Sequence, residues 1–223
     1  MDSKKGRFFI VSTPIGNLQD ISLRAIEVLK KVDVVACEDT RITSKILRTY
    51  NINNKLISYF EHNKLKRAPE LIKLLKSGKS IALVTDAGTP GICDPGYYLI
   101  KLVIEKGIPL TVIPGATALI TALIVSGKPP DRFIFEGYLP RKKEARRRRL
   151  KELVNEKRTI IFYESPHRLI KSLEDLDIFF PNREICVTKE LTKRYEEVIR
   201  DDATGLIEFF KKKKPRGEFV IVL

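Results

Sequence analysis

The stretch SIALVTDAGTPGICDPG (residues 80–96) passes from an apolar segment into a loop that packs three glycines, two prolines and two aspartates into twelve residues. A short apolar run that stops at turn residues reads as a buried strand, and the same grammar recurs upstream and downstream. RFFIVS, VDVVACE, KLISYF, SIALVTD and PLTVIP read as strands. Between them lie LRAIEVLKK, APELIKLLKSG and GYYLIKLVIEKG, whose apolar residues recur three and four apart as on one face of a helix. Strands alternating with helices predict an α/β domain with a largely parallel sheet.

In such a sheet the carboxyl ends of the strands share one edge, and ligands bind there. STPIGN follows the first strand, CEDTR the second, TDAGTPG the fourth and IPGAT the fifth, so all four loops are expected to face one cleft. Each loop taken alone is explained by turn formation. Four polar, Gly- or Pro-bearing loops at equivalent strand ends point to a ligand. GxGxxG is absent after the first strand, which excludes the Rossmann dinucleotide fingerprint. The Ser77-Gly78-Lys79-Ser80 tetrapeptide imitates the end of a Walker A loop, but Lys73 stands where its first glycine belongs and the segment precedes a strand. TDAGTPG offers instead an acceptor, Asp86, followed by glycines that let backbone groups approach a ligand closely, a set suited to a zwitterionic amino-acid moiety.

Near Ser126 the pattern breaks at SGKPPDR, a loop that predicts a domain boundary between residues 1–127 and 128–223. Beyond it FIFEGYL, TIIFYES, REICVTKE, YEEVIRD and GEFVIVL read as strands, with helices over 143–156, 167–180 and 204–213. The expected architecture is therefore two α/β domains.

The chain of 223 residues carries 42 Lys+Arg against 28 Asp+Glu, a net charge of +14, so a polyanion is the natural partner. The excess is concentrated in RKKEARRRRLKELVNEKR (residues 141–158) and KKKKPR (residues 211–216). One basic run alone reads equally well as a solvated helix face. Two in one half of the chain favour a nucleic-acid partner. No apolar run approaches the roughly 20 residues that cross a bilayer, and the N-terminus reads as lacking a secretory signal. Cys37, Cys93 and Cys186 are scattered and odd in number, which predicts reduced thiols in a cytoplasm. With His62 and His167 the sole histidines, no metal site is expected.

VSTPIGNLQDISLRAIEVLKKVDVVACEDTR, LISYFEHN, TDAGTPGICDPG, IPGATALITAL, FEGYLPRKK and FYESPHRL, in this order and at these spacings, resemble the tetrapyrrole methylase superfamily. Within it they are similar to the ribosomal RNA small subunit methyltransferase I family, over about residues 8–223. The resemblance implies a homodimer that binds S-adenosylmethionine between two domains. It implies transfer of the methyl to a cytidine ribose 2′-oxygen in the decoding region of small-subunit ribosomal RNA. Carried over by motif, Pro14 and Gly16 shape the first loop, Asp86, Gly88 and Thr89 hold the methionine part, and Ala116, Thr117 and Ala118 line the same pocket. Phe162, Tyr163, Thr188 and Glu218, placed by strand position, approach the adenosine. Departures are Phe60, where the family's motif has His, Gly91-Ile92-Cys93 for a more usual Leu-Ile-Ser, and an end at VIVL short of the C-terminal segment that many relatives carry.

A ribose hydroxyl must lose a proton, and Glu38, Asp39 and Glu61 are the carboxylates in motif loops available as general base. Glu38, Asp39 and Arg41 read equally well as an ion-pair and capping cluster at the next helix, and Arg41 as a phosphate ligand. Glu164 and His167 are similarly ambiguous, with Ser165 a candidate helix cap. Arg141, Lys142, Lys143, Arg146, Arg147, Arg148 and Arg149 are the expected RNA-binding cations, on naked ribosomal RNA or the assembled small subunit. Two other classes stay open: a porphyrinoid-type small-molecule methylase of the same fold, and a non-catalytic RNA-binding ribosome-assembly factor.

Overall fold

The computed structural model describes residues 6–223, which form two compact units, one ending at Thr117 and the other running Ala118–Leu223.

The first unit holds five parallel strands, β1 (Phe8–Val11), β2 (Val34–Cys37), β3 (Leu56–Ser58), β4 (Ile81–Leu83) and β5 (Leu110–Ile113), in the order β3-β2-β4-β1-β5. Side chains on a strand alternate between faces, and here both faces are apolar, which is why these segments read as continuous hydrophobic runs. Phe8, Ile10, Val34, Ala36, Ile81 and Leu83 pack against α3 (Lys64–Lys76) and α4 (Gly96–Glu105). The alternate set, Val11, Val35, Cys37, Ala82 and Val84, packs with residues of α1 (Leu23–Lys31) and α2 (Thr40–Thr49). Ser22 caps α1 through its hydroxyl, which accepts from Ala25 N at 3.1 Å, and Asp39 caps α2, accepting from Arg41 N at 2.8 Å.

The second unit is also a five-stranded sheet, but a mixed one: β6 (Phe133–Tyr138), β7 (Thr159–Glu164), β8 (Ile185–Lys189), β9 (Glu197–Asp201) and β10 (Phe219–Val222), ordered β6-β7-β10-β8-β9. β6 and β7 are parallel; the other neighbours are antiparallel. Ile160, Phe162, Ile185, Val187, Phe219 and Ile221 form one core with α6 (Lys143–Leu153), α7 (Leu169–Phe179) and α8 (Ala203–Lys212). The helix α5 (Ala118–Ser126) crosses β7, β8, β9 and β10. Its packing on those strands assigns it to the second unit, so the compact units divide at Thr117/Ala118, one helix ahead of the SGKPPDR loop where the sequence places the boundary. Among the described residues no helix is long and apolar enough to cross a membrane.

Candidate active site

The four expected loops interlock at the carboxyl edge of the parallel sheet. After β1, Thr13 and Gly88 form a two-way backbone bridge, Thr13 N donating to Gly88 O (2.9 Å) and Gly88 N to Thr13 O (3.1 Å). The Thr13 hydroxyl donates to Thr85 O (3.0 Å), and Ser12 Oγ lies 2.9 Å from Thr89 Oγ1. Thr89 Oγ1 reaches Ala116 O at 3.4 Å, which ties in the loop after β5. Gly88 has a φ of +85°, and a Cβ there would stand 3.4 Å from Ile15 Cγ2. Gly115 is closer still, since its Cβ would come within 2.9 Å of the Ser12 Cβ. Pro14, Gly88, Thr89 and Ala116 are thereby brought together, while Gly16 sits on the exposed side of the first loop.

The acidic side chains of the β2, β3 and β4 loops separate into different kinds. Asp86, half-buried, accepts from Asp39 N through Oδ1 at 3.0 Å. Burial raises its carboxyl above the ordinary range, with the Asp39 amide pulling the other way. Glu38 is also half-buried and raised, chiefly by burial and then by the charge of Asp86; Thr85 Oγ1 donates to its Oε2 at 3.2 Å. Asp39, by contrast, is gripped by Arg41, whose Nη2 lies 2.6 Å from Oδ2, and these hydrogen bonds lower its carboxyl to about 2. Glu61 is largely exposed and paired with Lys64 at 2.5 Å. Asp94 folds the loop itself: it accepts from Gly91 N at 2.9 Å and Gly96 N at 2.6 Å. A Cβ at Gly96 would fall 2.7 Å from that carboxylate, so the glycine is required by the contact.

This donor set fits the amino-acid end of S-adenosylmethionine. A half-buried carboxylate with one oxygen committed to an amide suits an ammonium, and the Gly88 backbone, with its N–H and C=O both taken by Thr13, fixes the loop beside it. The hydroxyls that lock the loops, Ser12, Thr13 and Thr85, do not stand out in the sequence as functional residues. Their only signal there is the polar end of each strand segment, STP and VTD.

In the second unit the candidates divide by strand face. Phe162 is fully buried in the helix-side core, so its side chain serves packing. Tyr163, next along β7, stands edge-on to Phe135 (4.8 Å between centroids) and Tyr138 (5.7 Å). Thr188 is buried, its hydroxyl 3.4 Å from Val220 O. Glu218 is exposed and ion-paired with Lys193 at 2.8 Å. Thr117 ends the first unit and Ala118 opens α5.

The basic helix α6 departs from the sequence reading. Arg146 is 4% exposed, and its Nε and Nη2 hold Asp175 Oδ2 at 2.8 and 2.7 Å. Arg147 takes the other oxygen of Asp175 at 2.6 Å, and Arg149 is engaged by Glu136 (2.8 Å) and Glu152 (2.7 Å). These three arginines hold the helix to the unit and are not the free cations that the run suggests. The acids Asp175 and Glu136, which claim them, lie far away in sequence. Arg141, Lys142, Lys143 and Arg148 remain exposed, with no ion pair among the described residues. Glu164 is likewise structural: buried, it accepts from Ser172 Oγ (2.5 Å) and Ser165 N (2.8 Å) and lies 3.4 Å from Arg168 Nε. Ser165 meets α7 through its carbonyl and not its hydroxyl, because Arg168, not Ser165, stands at the cap position of that helix. His167 is exposed.

The family model described as Tetrapyrrole (Corrin/Porphyrin) Methylases matches residues 7–206. Solved structures with the same fold include uroporphyrin-III C-methyltransferase from Thermus thermophilus complexed with S-adenosylhomocysteine (TM-score 0.68, 16% identical, 97% of each chain). Another is diphthine synthase (TM-score 0.73, 16% identical, 98% of this chain and 90% of that one). At such identity the likeness is one of fold. Curated relatives named Ribosomal RNA small subunit methyltransferase I are nearer. That of Thermotoga maritima is 47% identical over 98% of both chains, and that of Escherichia coli O157:H7 is 45% identical over 100% of this chain and 79% of its own. The chain belongs to the ribosomal RNA small subunit methyltransferase I family of tetrapyrrole methylases.

Proposed function

We propose that the protein, acting as a homodimer, transfers the methyl group of S-adenosylmethionine to the ribose 2′-oxygen of a cytidine in the decoding region of small-subunit ribosomal RNA. The observation that carries the cofactor half of this reading is Asp86, a half-buried carboxylate at a strand end that accepts from the Asp39 amide through one oxygen. When bound, the cofactor supplies an electrophilic methyl on a sulfonium. The chain's task is then to align the acceptor oxygen with that carbon, which on well-oriented groups supplies on the order of 7–11 kcal/mol.

Of the three carboxylates in the motif loops, Glu38 is the one suited to take the hydroxyl proton. Asp39 is committed to Arg41 and held near pKa 2, so it is the weaker base. Glu61 is tied to Lys64 on the surface. Glu38 is free of an ion pair among the described residues and raised by burial and the charge of Asp86, which strengthens it as a proton acceptor. Arg141, Lys142, Lys143 and Arg148 support a polyanionic substrate. The second reading, a porphyrinoid substrate, is favoured by the family model, which is described as one of tetrapyrrole methylases. Incubating the protein and labelled cofactor with small subunits from cells lacking it, and in parallel with uroporphyrinogen-type substrates, separates the two. Label in ribosomal RNA supports the proposal; label in the porphyrinoid alone overturns it, and label in neither points to a non-catalytic role.

A further inference from the structure

A dense network holds the hairpin joining β8 to β9. Lys193 Nζ donates to Glu190 Oε1 (3.0 Å) and Glu218 Oε2 (2.8 Å), while Glu218 N donates to the same Glu190 oxygen (2.9 Å). Glu190 N in turn donates to Glu218 O (2.9 Å), and Thr192 N to the Glu196 carboxylate. Leu191 is buried beneath the turn. A Cβ on Gly217 would come within 2.5 Å of Glu190 Cδ, so glycine at that position admits the Glu190 carboxyl.

This network imposes left-handed backbone on two side-chain-bearing residues, Glu190 (φ 51°) and Thr192 (φ 66°). For a β-branched residue such a φ is a genuine outlier that persists only where the surroundings determine it, and such strain clusters at functional positions. What the strained turn presents is Arg194 and Tyr195. Tyr195 is 66% exposed, and the Arg194 guanidinium lies 5.7 Å from its ring centroid. Neither holds the hairpin together. Every other cation between Lys189 and Arg200 is engaged: Lys189 with Glu197, Lys193 with Glu190 and Glu218, and Arg200 with the carbonyls of Val125 and Ser126. Arg194 is the one charge of the turn left without an acidic partner among the described residues.

An exposed aromatic face beside an unneutralised guanidinium, on a rigid turn in the unit that also carries the exposed cations of α6, matches unpaired RNA. Every base offers a π-face to stack on, and the neighbouring phosphate takes the charge. We infer that the Arg194-Tyr195 tip is an RNA-binding element, Tyr195 stacking on an unpaired base of the substrate and Arg194 meeting the adjacent phosphate. The inference rests on the ribosomal RNA reading of the function and adds to it a contact made by the second unit.

The test is equilibrium binding of small subunits, and of single-stranded RNA from the decoding region, to the full chain carrying Tyr195→Phe, Tyr195→Ala or Arg194→Ala. Cofactor affinity is read by calorimetry and mass by sedimentation in the same samples. Tyr195→Phe keeps wild-type affinity because the ring is retained. Tyr195→Ala weakens RNA binding roughly 5- to 150-fold, the range for removing one stacked base. Arg194→Ala lowers the slope of log K against log salt by roughly 0.7–0.9. Cofactor affinity and mass stay unchanged in all three. Wild-type RNA affinity in Tyr195→Ala overturns the inference while leaving the methyltransferase reading intact. A change of mass in Tyr195→Ala without a change of RNA affinity per protomer overturns it in favour of a subunit contact. A wild-type chain that binds no RNA removes both readings together.

Discussion

Replacing Asp175 by alanine tests whether buried ion pairing anchors the basic helix. The Asp175 side chain is 2% exposed and accepts two arginines, one through each oxygen. Arg147 is 38% exposed and can turn its guanidinium to solvent once released, so its release costs little. Arg146 has no such escape, with 5% of its side chain exposed. Asp175→Ala leaves that charge buried and uncompensated, for which about 3–5 kcal/mol of stability is the expected loss. Urea unfolding followed by far-UV circular dichroism reads it as a lowered midpoint. Removing both charges together, Arg146→Met with Asp175→Leu, should recover most of the loss, because an apolar pair in place of a buried ion pair is often near neutral. Neutralising the exposed residues Arg141, Lys142, Lys143 and Arg148 should change stability by no more than about 0.5 kcal/mol for each substitution. It should also reduce the salt slope of RNA binding by up to roughly 0.7–0.9 for each phosphate that the chain no longer neutralises. A loss below about 1 kcal/mol in Asp175→Ala would refute the buried-pair argument, since it would mean that Arg146 reaches water.

Asp86→Ala should weaken S-adenosylmethionine binding by roughly 1.5–3 kcal/mol in calorimetry without unfolding the chain, the range for hydrogen bonds to charged groups; unchanged affinity would remove Asp86 from the site. Burial and the charge of Asp86 raise the Glu38 carboxyl above the ordinary glutamate range, and a base acts only when deprotonated. Methyl transfer should therefore rise with pH through that elevated pKa, and Glu38→Gln should abolish this acidic limb together with most of kcat; a mutant with the wild-type profile would exclude Glu38 as the base. Under native conditions a thiol reagent should modify Cys93 and spare Cys37 and Cys186, because Cys93 is exposed while burial pushes Cys37 to about 11 and also raises Cys186. Rapid reaction of more than one thiol in folded protein would contradict the burial of the other two.

Most of the strand and helix framework is legible in the sequence, because strands buried on both faces, as in SIALVTD and VDVVACE, leave continuous apolar runs that turn residues punctuate. The position of the four loops follows from that alternation alone. What stays hidden is long-range pairing. RKKEARRRR carries no sign that Asp175, on the next helix, neutralises Arg146 and Arg147, or that Glu136 claims Arg149. The mixed direction of the second sheet is equally invisible, since an antiparallel strand buried on both faces has the same apolar pattern as a parallel one. α5 is ambiguous for a related reason: it is apolar on nearly every side, so no face of it points to one unit over the other. Among the carboxylates, Glu38 and Asp39 stand side by side in the chain, and only the geometry separates a residue gripped by Arg41 from one bonded to the Thr85 hydroxyl and free of an ion pair among the described residues.

The most direct measurement is alkaline cleavage of small-subunit ribosomal RNA after incubation with this protein and tritiated S-adenosylmethionine, using subunits from cells that lack the protein. Alkali breaks RNA through attack of a free 2′-hydroxyl on its own phosphate, so a methyl on that oxygen protects one linkage. Ribose methylation predicts one newly resistant linkage in the decoding region, at a cytidine, carrying the tritium. Tritium on the base of a fully cleavable RNA, or no tritium in the RNA while it enters a porphyrinoid, would contradict it.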